Sequence, residues 1–352
     1  MSGDARLQVA FGGLHPERVR TLYDRYGPSG TLRRIVGGAI ETTDRVRREV
    51  GIPAAERLRR LGEAGIAVVR RGETGYPEHL ADLPDAPDLV FVRGELPSMP
   101  GVAVVGTRRC TSYGRRIAGE YGRAIAEAGW VLVSGLARGV DGAAHSGTVS
   151  AGGVGVAVLG SGIDVMYPRE HADLARQLLE NGGAVISESP PGTPPEAWRF
   201  PPRNRIISGL AVAVVVVEAT VKGGALITAE SALVHGRQVF AVPGDISRAS
   251  SAGCNLLIRD GAFPVHDPDD LIESLELVLG PGSRTGRKQA SAELSDSDIR
   301  LIELVEAGAN DLDTLMARGV GGPGEILAAL GRLELLGVVS TDGSGRYLPT
   351  GR

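Results

Sequence analysis

Eight short apolar runs recur between residues 66 and 244: IAVV (66–69), LVFV (89–92), VAVVG (102–106), WVLVSG (130–135), GVAVLG (155–160), AVIS (184–187), AVAVVVVE (211–218) and QVFAVPG (238–244). They do not alternate with polar residues, so each must be covered on both faces, and helix-length stretches separate them. That pattern predicts a mostly parallel sheet with helices on either side, an α/β, doubly wound, Rossmann-like domain over 65–278. Ligands of such sheets bind outside the carboxyl ends of the strands. The turns after these runs are therefore where function is sought.

The flanks have a different texture. Residues 1–64 read as short arginine-rich helices broken at GPSG (27–30), GG (37–38) and GIP (51–53), a small α-helical domain whose arginines read first as a solvated face, with weak DNA contact as the alternative. LGPGSRTGRKQASAE (279–293) reads as a flexible linker. Over 294–352 three helical segments lead into two short strands around an Asp-Gly turn, the order of a winged-helix-like domain. The net charge of −4 means that any polyanion must meet a local basic patch, not a global field. Cys110 and Cys254 lie far apart and imply no disulfide framework. No apolar run has membrane-spanning length, and MSGDARLQVA lacks the charged and apolar regions of a signal peptide. The expectation is a cytoplasmic protein with no membrane partner.

Four turns carry candidate chemistry. Gly106, Thr107 and Arg108 follow VAVV, where a tight turn, a hydroxyl and a guanidinium meet the start of a helix. SGLARGVDGAAH (134–145) places Ser134, Gly135, Arg138 and Gly139 in a second turn. Its Asp141 would repel phosphate, and it reads as a structural cap or a partner for Arg138; His145 reads as a packing residue. FPPRNRIISGL (200–210) holds Arg203 and Arg205, either ligand-facing or structurally paired. In EATVKGGALITAE (218–230), Lys222 stands before Gly223 and Gly224 at a helix start.

In this order, VAVVGTRRCTSYG, SGLARGVDGAAH, VLGSGIDVMYP, FPPRNRIISGL, EATVKGGALITAESALVHGRQVFAVPGD and GCNLLIRDGA resemble the DNA-processing protein A (DprA/Smf) family over residues 65–265. The resemblance implies a single-stranded-DNA-binding protein of natural transformation that protects incoming strands, dimerises through the α/β domain and helps load the recombinase RecA. It also implies a sterile-alpha-motif-like N-terminal domain and a winged-helix-like C-terminal one. The family's phosphate pocket falls here on Gly106, Thr107, Arg108, the Ser134–Gly139 turn and Lys222 with its two glycines. Arg203 and Arg205 match the family's FPxRNR motif. Threonine stands at 107 where serine is common, and Gly223-Gly224 stands where a serine often follows the lysine; both changes keep the N–H donors.

Two other readings stand beside it. A Rossmann-like nucleotide hydrolase or phosphoribohydrolase would use a positioned carboxylate, with Glu218, Glu188 or Asp141 available, but no PGGxGTxxE motif accompanies them. A nucleotide-sensing winged-helix regulator is the other. Walker A, GxSxG and HExxH patterns are absent and the histidines lack metal-ligand spacing, so no catalytic residue, metal or cofactor is expected. Aromatic residues make up 4% of the chain, which limits base stacking; Tyr113, Phe200 and Phe263 are the nearest candidates, and each reads as core.

Overall fold

The computed structural model describes residues 4–99, 101–279, 296–306, 308–318, 322–335, 339–341 and 347–349. Four helices come first: α1 (Ala5–Ala10), α2 (Pro16–Val36), α3 (Asp44–Gly51) and α4 (Ala54–Glu63). The expected breaks are physical ones, since α2 kinks at Gly27 ahead of Pro28 and α3 ends before Pro53. Then follow β1 (Ala67–Arg70), α5 (Glu78–Ala81), β2 (Leu89–Gly94), β3 (Gly101–Val105), α6 (Ser112–Glu127), β4 (Val131–Ser134), α7 (Val140–Ser150), β5 (Gly155–Leu159), α8 (Ala172–Glu180) and β6 (Ala184–Ser187). The α/β part closes with α9 (Phe200–Gly209), β7 (Ala211–Val216), α10 (Gly224–Val234), β8 (Gln238–Ala241), α11 (Ala249–Arg259), β9 (Phe263–Pro264) and α12 (Pro268–Leu279).

All nine strands form one sheet, in the order β1-β2-β6-β5-β4-β3-β7-β8-β9. From β6 through β9 neighbouring strands run parallel, while β2 opposes both β6 and β1. The eight apolar runs are the first eight strands; β9, only two residues long, has no comparable run to announce it. Burial follows the strand period of two on both faces. Along β3, Val102 and Val104 pack with Ile117, Tyr121 and Ile125 of α6, while Ala103 and Val105 join the cluster of Ile206 and Ile207 of α9 and Ala229 of α10.

Residue 64 is not a break in packing. Leu7 of α1 and Ala54 and Leu61 of α4 share one buried cluster with Phe91, Leu159, Ile163 and Leu178, and the chain separates into Met1–Thr285 and Gly286–Arg352. The helices expected as an independent N-terminal domain are thus built onto the β1–β2 end of the sheet. Arg57 ties these helices to one another: buried, it lies over the Phe11 ring and donates to the Glu49 carbonyl at 2.9 Å and carboxylate at 2.5 Å. The expected linker lies almost entirely outside the described residues.

The second unit contains α13 (Asp296–Glu306), α14 (Leu312–Ala317), α15 (Pro323–Leu335) and the antiparallel pair β10 (Val339–Thr341) and β11 (Tyr347–Pro349). Leu301, Leu315, Leu330, Leu333 and Val339 are among its core residues. This is the expected element order; the Asp-Gly turn of the hairpin falls outside the described residues. Among the described residues no helix is long and apolar enough to cross a membrane.

Candidate nucleic-acid interface

The chain leaves β3 toward β4 on one side and leaves β7 toward β8 on the other, so the loops beyond these adjacent strands diverge and open a crevice between them. The Thr107 N–H donates to the Glu218 carbonyl at 2.7 Å and ties the two loops together at its base. The Glu218 carboxylate is buried beneath. It accepts from the Thr111 N–H at 2.8 Å and hydroxyl at 2.7 Å, and the Thr111 oxygen caps α6 by accepting from the Gly114 N–H at 3.0 Å. Sequence reasoning offered Glu218 as a possible catalytic carboxylate; it is an anchor joining the end of β7 to the start of α6.

Above that anchor the crevice is cationic. Arg108 and Arg109 are exposed, and the Arg108 guanidinium lies 4.5 Å from the centroid of the Phe200 ring. The Thr107 hydroxyl accepts from the Arg109 N–H at 3.2 Å and tightens the turn. Across the crevice, Lys222 is exposed in a turn closed by the Gly223 N–H on the Thr220 carbonyl, and α10 begins at Gly224 with the positive end of its dipole. Asn204 of α9 holds that start by donating to the Gly224 carbonyl at 3.2 Å. Among the described residues no carboxylate pairs with Arg108, Arg109 or Lys222.

The second predicted turn is built differently. Gly139 has φ +80°, and a Cβ there would meet the Thr107 carbonyl and the Arg108 backbone, so only glycine permits this approach of the two turns. Gly106 is tight from the other side, where a Cβ would lie 2.5 Å from Val140 Cγ2 and 2.9 Å from the Glu218 carbonyl. The remaining groups are already spent within the protein. Asp141 is buried and accepts from the Gly135 N–H at 3.2 Å and the Ala137 N–H at 3.4 Å. Ser134 donates its hydroxyl to the Val104 carbonyl at 2.6 Å. Arg138, exposed, forms a two-point ion pair with Glu170 at 2.7 Å and 2.7 Å, so its partner is not Asp141. His145, fully buried, packs α7 against the sheet; burial lowers its pKa to about 3 and keeps it neutral.

Arg203 and Arg205 separate from the exposed cations. Arg203 is 5% exposed and donates to the carbonyls of Gly135, at 2.9 Å, and Val158. Desolvation lowers its pKa to about 10 against the field of Asp141, whose own carboxyl is pushed up by burial. Arg205 pairs with Glu188 at 2.7 Å and Asp85 at 3.8 Å, and Asp85 in turn meets His235 at 3.2 Å. The aromatic expectations need correction. Tyr113 on the first turn of α6 is 43% exposed and Phe263 on the edge strand is 53% exposed, neither of them core, while Phe200 is half-buried beneath Arg108. Among the described residues no group of three acidic, histidine or cysteine side chains is placed to hold a metal ion.

Residues 67–276 match the family model described as DNA recombination-mediator protein A. The protein Smf of Escherichia coli is 46% identical over 206 residues, which is 58% of this chain and only 55% of that protein's length. Among solved structures, DNA processing protein A of Streptococcus pneumoniae superposes with a TM-score of 0.62 at 34% identity, over 76% of this chain and 95% of that one. DNA processing protein A of Helicobacter pylori, described for its single-stranded DNA binding mode, superposes with a TM-score of 0.54 at 26% identity, over 60% of this chain and 95% of that one.

Proposed function

Because the chain belongs to the DNA recombination-mediator protein A family, we propose that it is a DNA-processing protein that grips single-stranded DNA in the crevice between β3 and β7. The observation that carries this reading is the set of exposed cations at the topological switch point, Arg108, Arg109 and Lys222, with no carboxylate partner among the described residues. The start of α10 at Gly224 adds the positive end of a helix dipole, which suits a phosphate. Such a site grips the sugar-phosphate backbone without reading base edges. Tyr113, exposed on the first turn of α6, offers a ring face to a base. The described single-strand binding of the Helicobacter pylori relative supports the same ligand.

Its setting is the cytoplasm, where it protects incoming strands during natural transformation and helps load RecA. It acts as a homodimer through the α/β domain, since two crevices on one strand raise avidity without new contacts. It acts without catalysis. The engagement of Glu218 by Thr111, of Asp141 by two backbone amides and of Glu188 by Arg205 supports that reading over the hydrolase, whose carboxylate would have to face a substrate. Gel-shift titrations of single-stranded and blunt duplex oligonucleotides at several salt concentrations test the proposal: single strands bind preferentially and with little sequence dependence. Equal or tighter duplex binding contradicts it.

A further inference from the structure

The segment VLGSGIDVMYPRE (158–170) runs from β5 toward α8, and the crevice described above makes no use of it. Its backbone is firmly held. The Gly162 N–H donates to the Thr193 carbonyl at 2.9 Å, the Gly192 N–H to the Asp164 carboxylate at 2.7 Å and the Ser161 hydroxyl to the Val165 carbonyl at 2.6 Å, while Ile163 is buried. A loop fixed in this way presents its remaining side chains with little further ordering to pay on binding. Tyr167 is 37% exposed, and its ring centroid lies 5.8 Å from that of Phe200 at an interplanar angle of 48°. Phe200 lies over the end of β5, where a Cβ on Gly160 would sit 2.8 Å from the ring, and it carries the Arg108 guanidinium 4.5 Å from its centroid. Tyr167 is therefore joined to the crevice through Phe200. Arg169, two residues on, is exposed, and among the described residues it has no carboxylate partner and no side-chain hydrogen bond. The adjacent Glu170 is already engaged by Arg138.

We infer that the single-strand site continues past Arg108 across the end of β5, where the Tyr167 ring receives a nucleobase and Arg169 a phosphate. The inference rests on the crevice reading and extends it. A ring face at the surface stacks on any base, which suits a strand gripped by its backbone and not by its sequence. One side chain, Phe200, backs both Arg108 and Tyr167, so the cation and the ring that meet neighbouring nucleotides are set by a common support. Because β4 lies between β3 and β5, the strand runs from Lys222 and Arg108 past the turn after β4 toward β5, away from β8. Tyr113, on the first turn of α6, is the competing ring.

Photocrosslinking of the full chain to a single-stranded oligonucleotide carrying 5-iodouracil, followed by tryptic digestion and mass spectrometry, tests this without altering the protein. The expected adduct falls on the peptide Gly139–Arg169, in which Tyr167 is the one tyrosine and no phenylalanine or tryptophan occurs. Absence of an adduct from that peptide, or its confinement to Cys110–Arg115 with Tyr113, overturns the inference. In anisotropy titrations with the same oligonucleotide, Tyr167→Ala weakens binding about tenfold and Tyr167→Phe restores it. Arg169→Ala makes the slope of log K against log salt shallower by about 0.7. Native behaviour of Tyr167→Ala and Arg169→Ala, with affinity lost in Arg108→Ala, overturns the inference alone. Native affinity in both Arg108→Ala and Lys222→Ala overturns the crevice reading on which it rests.

Discussion

The turns after β3 and β4 have the same plan, an apolar strand, a glycine-bearing turn with arginine and a helix, and they touch at Gly139 and Thr107. Their polar groups have opposite fates. After β4, Asp141 consumes two turn amides, Arg203 consumes the Gly135 carbonyl, and Glu170 holds Arg138. After β3, and after β7 beside it, buried Glu218 fixes the backbone while Arg108, Arg109 and Lys222 stay exposed. The buried carboxylate decides the difference. Asp141 folds its turn inward upon itself, whereas Glu218 reaches under the crevice to α6 and leaves the loop above it open. A Gly-rich turn at a strand end leaves its cations open to a ligand only where no carboxylate already holds them.

Removing the clamp of the closed turn has the largest expected effect. Arg203→Ala leaves the buried Gly135 and Val158 carbonyls without their side-chain donor, at about 1–3 kcal/mol of folding stability each, measured by chemical denaturation. A loss under about 1 kcal/mol would show that the turn does not depend on Arg203. In the open crevice the effect moves from stability to binding. Arg108→Ala and Lys222→Ala each weaken single-strand affinity by about 1.5–3 kcal/mol, the range for hydrogen bonds to charged groups, with Tm nearly unchanged. Unfolding of either variant would mean that the two regions are not the contrasting pair described above.

Acid sharpens the comparison further. His145, buried behind the closed turn, stays neutral in the folded protein down to about pH 3, whereas in the unfolded chain it takes up a proton below about pH 6.5. The unfolded state then binds more protons, so this contribution is intact above pH 6.5 and falls as pH drops toward 3, by about 1 kcal/mol per pH unit. Denaturation midpoints of His145→Leu should show a shallower acid slope. The smallest effect belongs to Arg138. Its pair with Glu170 is exposed, so Arg138→Ala should leave both Tm and DNA affinity close to native, and a large affinity loss would place it in the crevice after all.

The sheet was legible because its strands must be apolar on both faces, a demand visible residue by residue in VAVV and AVAVVVV. The short β9 was not, since Phe263 and Pro264 become a strand only by pairing with Phe240 and Ala241. Arg108 and Lys222 could be found because each lies in a glycine-bearing turn between an apolar strand and the next helix. The roles of Glu218 and Arg203 could not, because Glu218 meets Thr111 across 107 residues and Arg203 meets Gly135 across 68. The packing of α1 and α4 onto the sheet was hidden for the same reason. An amphipathic helix declares that it has a buried face without naming what covers it.

In the proposed binding mode the open turn, not the closed one, holds the strand. Fluorescence anisotropy of a labelled single-stranded oligonucleotide, titrated across a salt series with the native protein, the Arg108→Ala/Lys222→Ala double variant and Arg138→Ala, tests it most directly. With three or four phosphates neutralised, the native log K falls against log salt with a slope of about −2 to −3. The double variant should lose most of its affinity and have a slope shallower by about 1.4, while Arg138→Ala tracks the native protein. A double variant that keeps native affinity and slope, with Arg138→Ala losing both, would contradict the account.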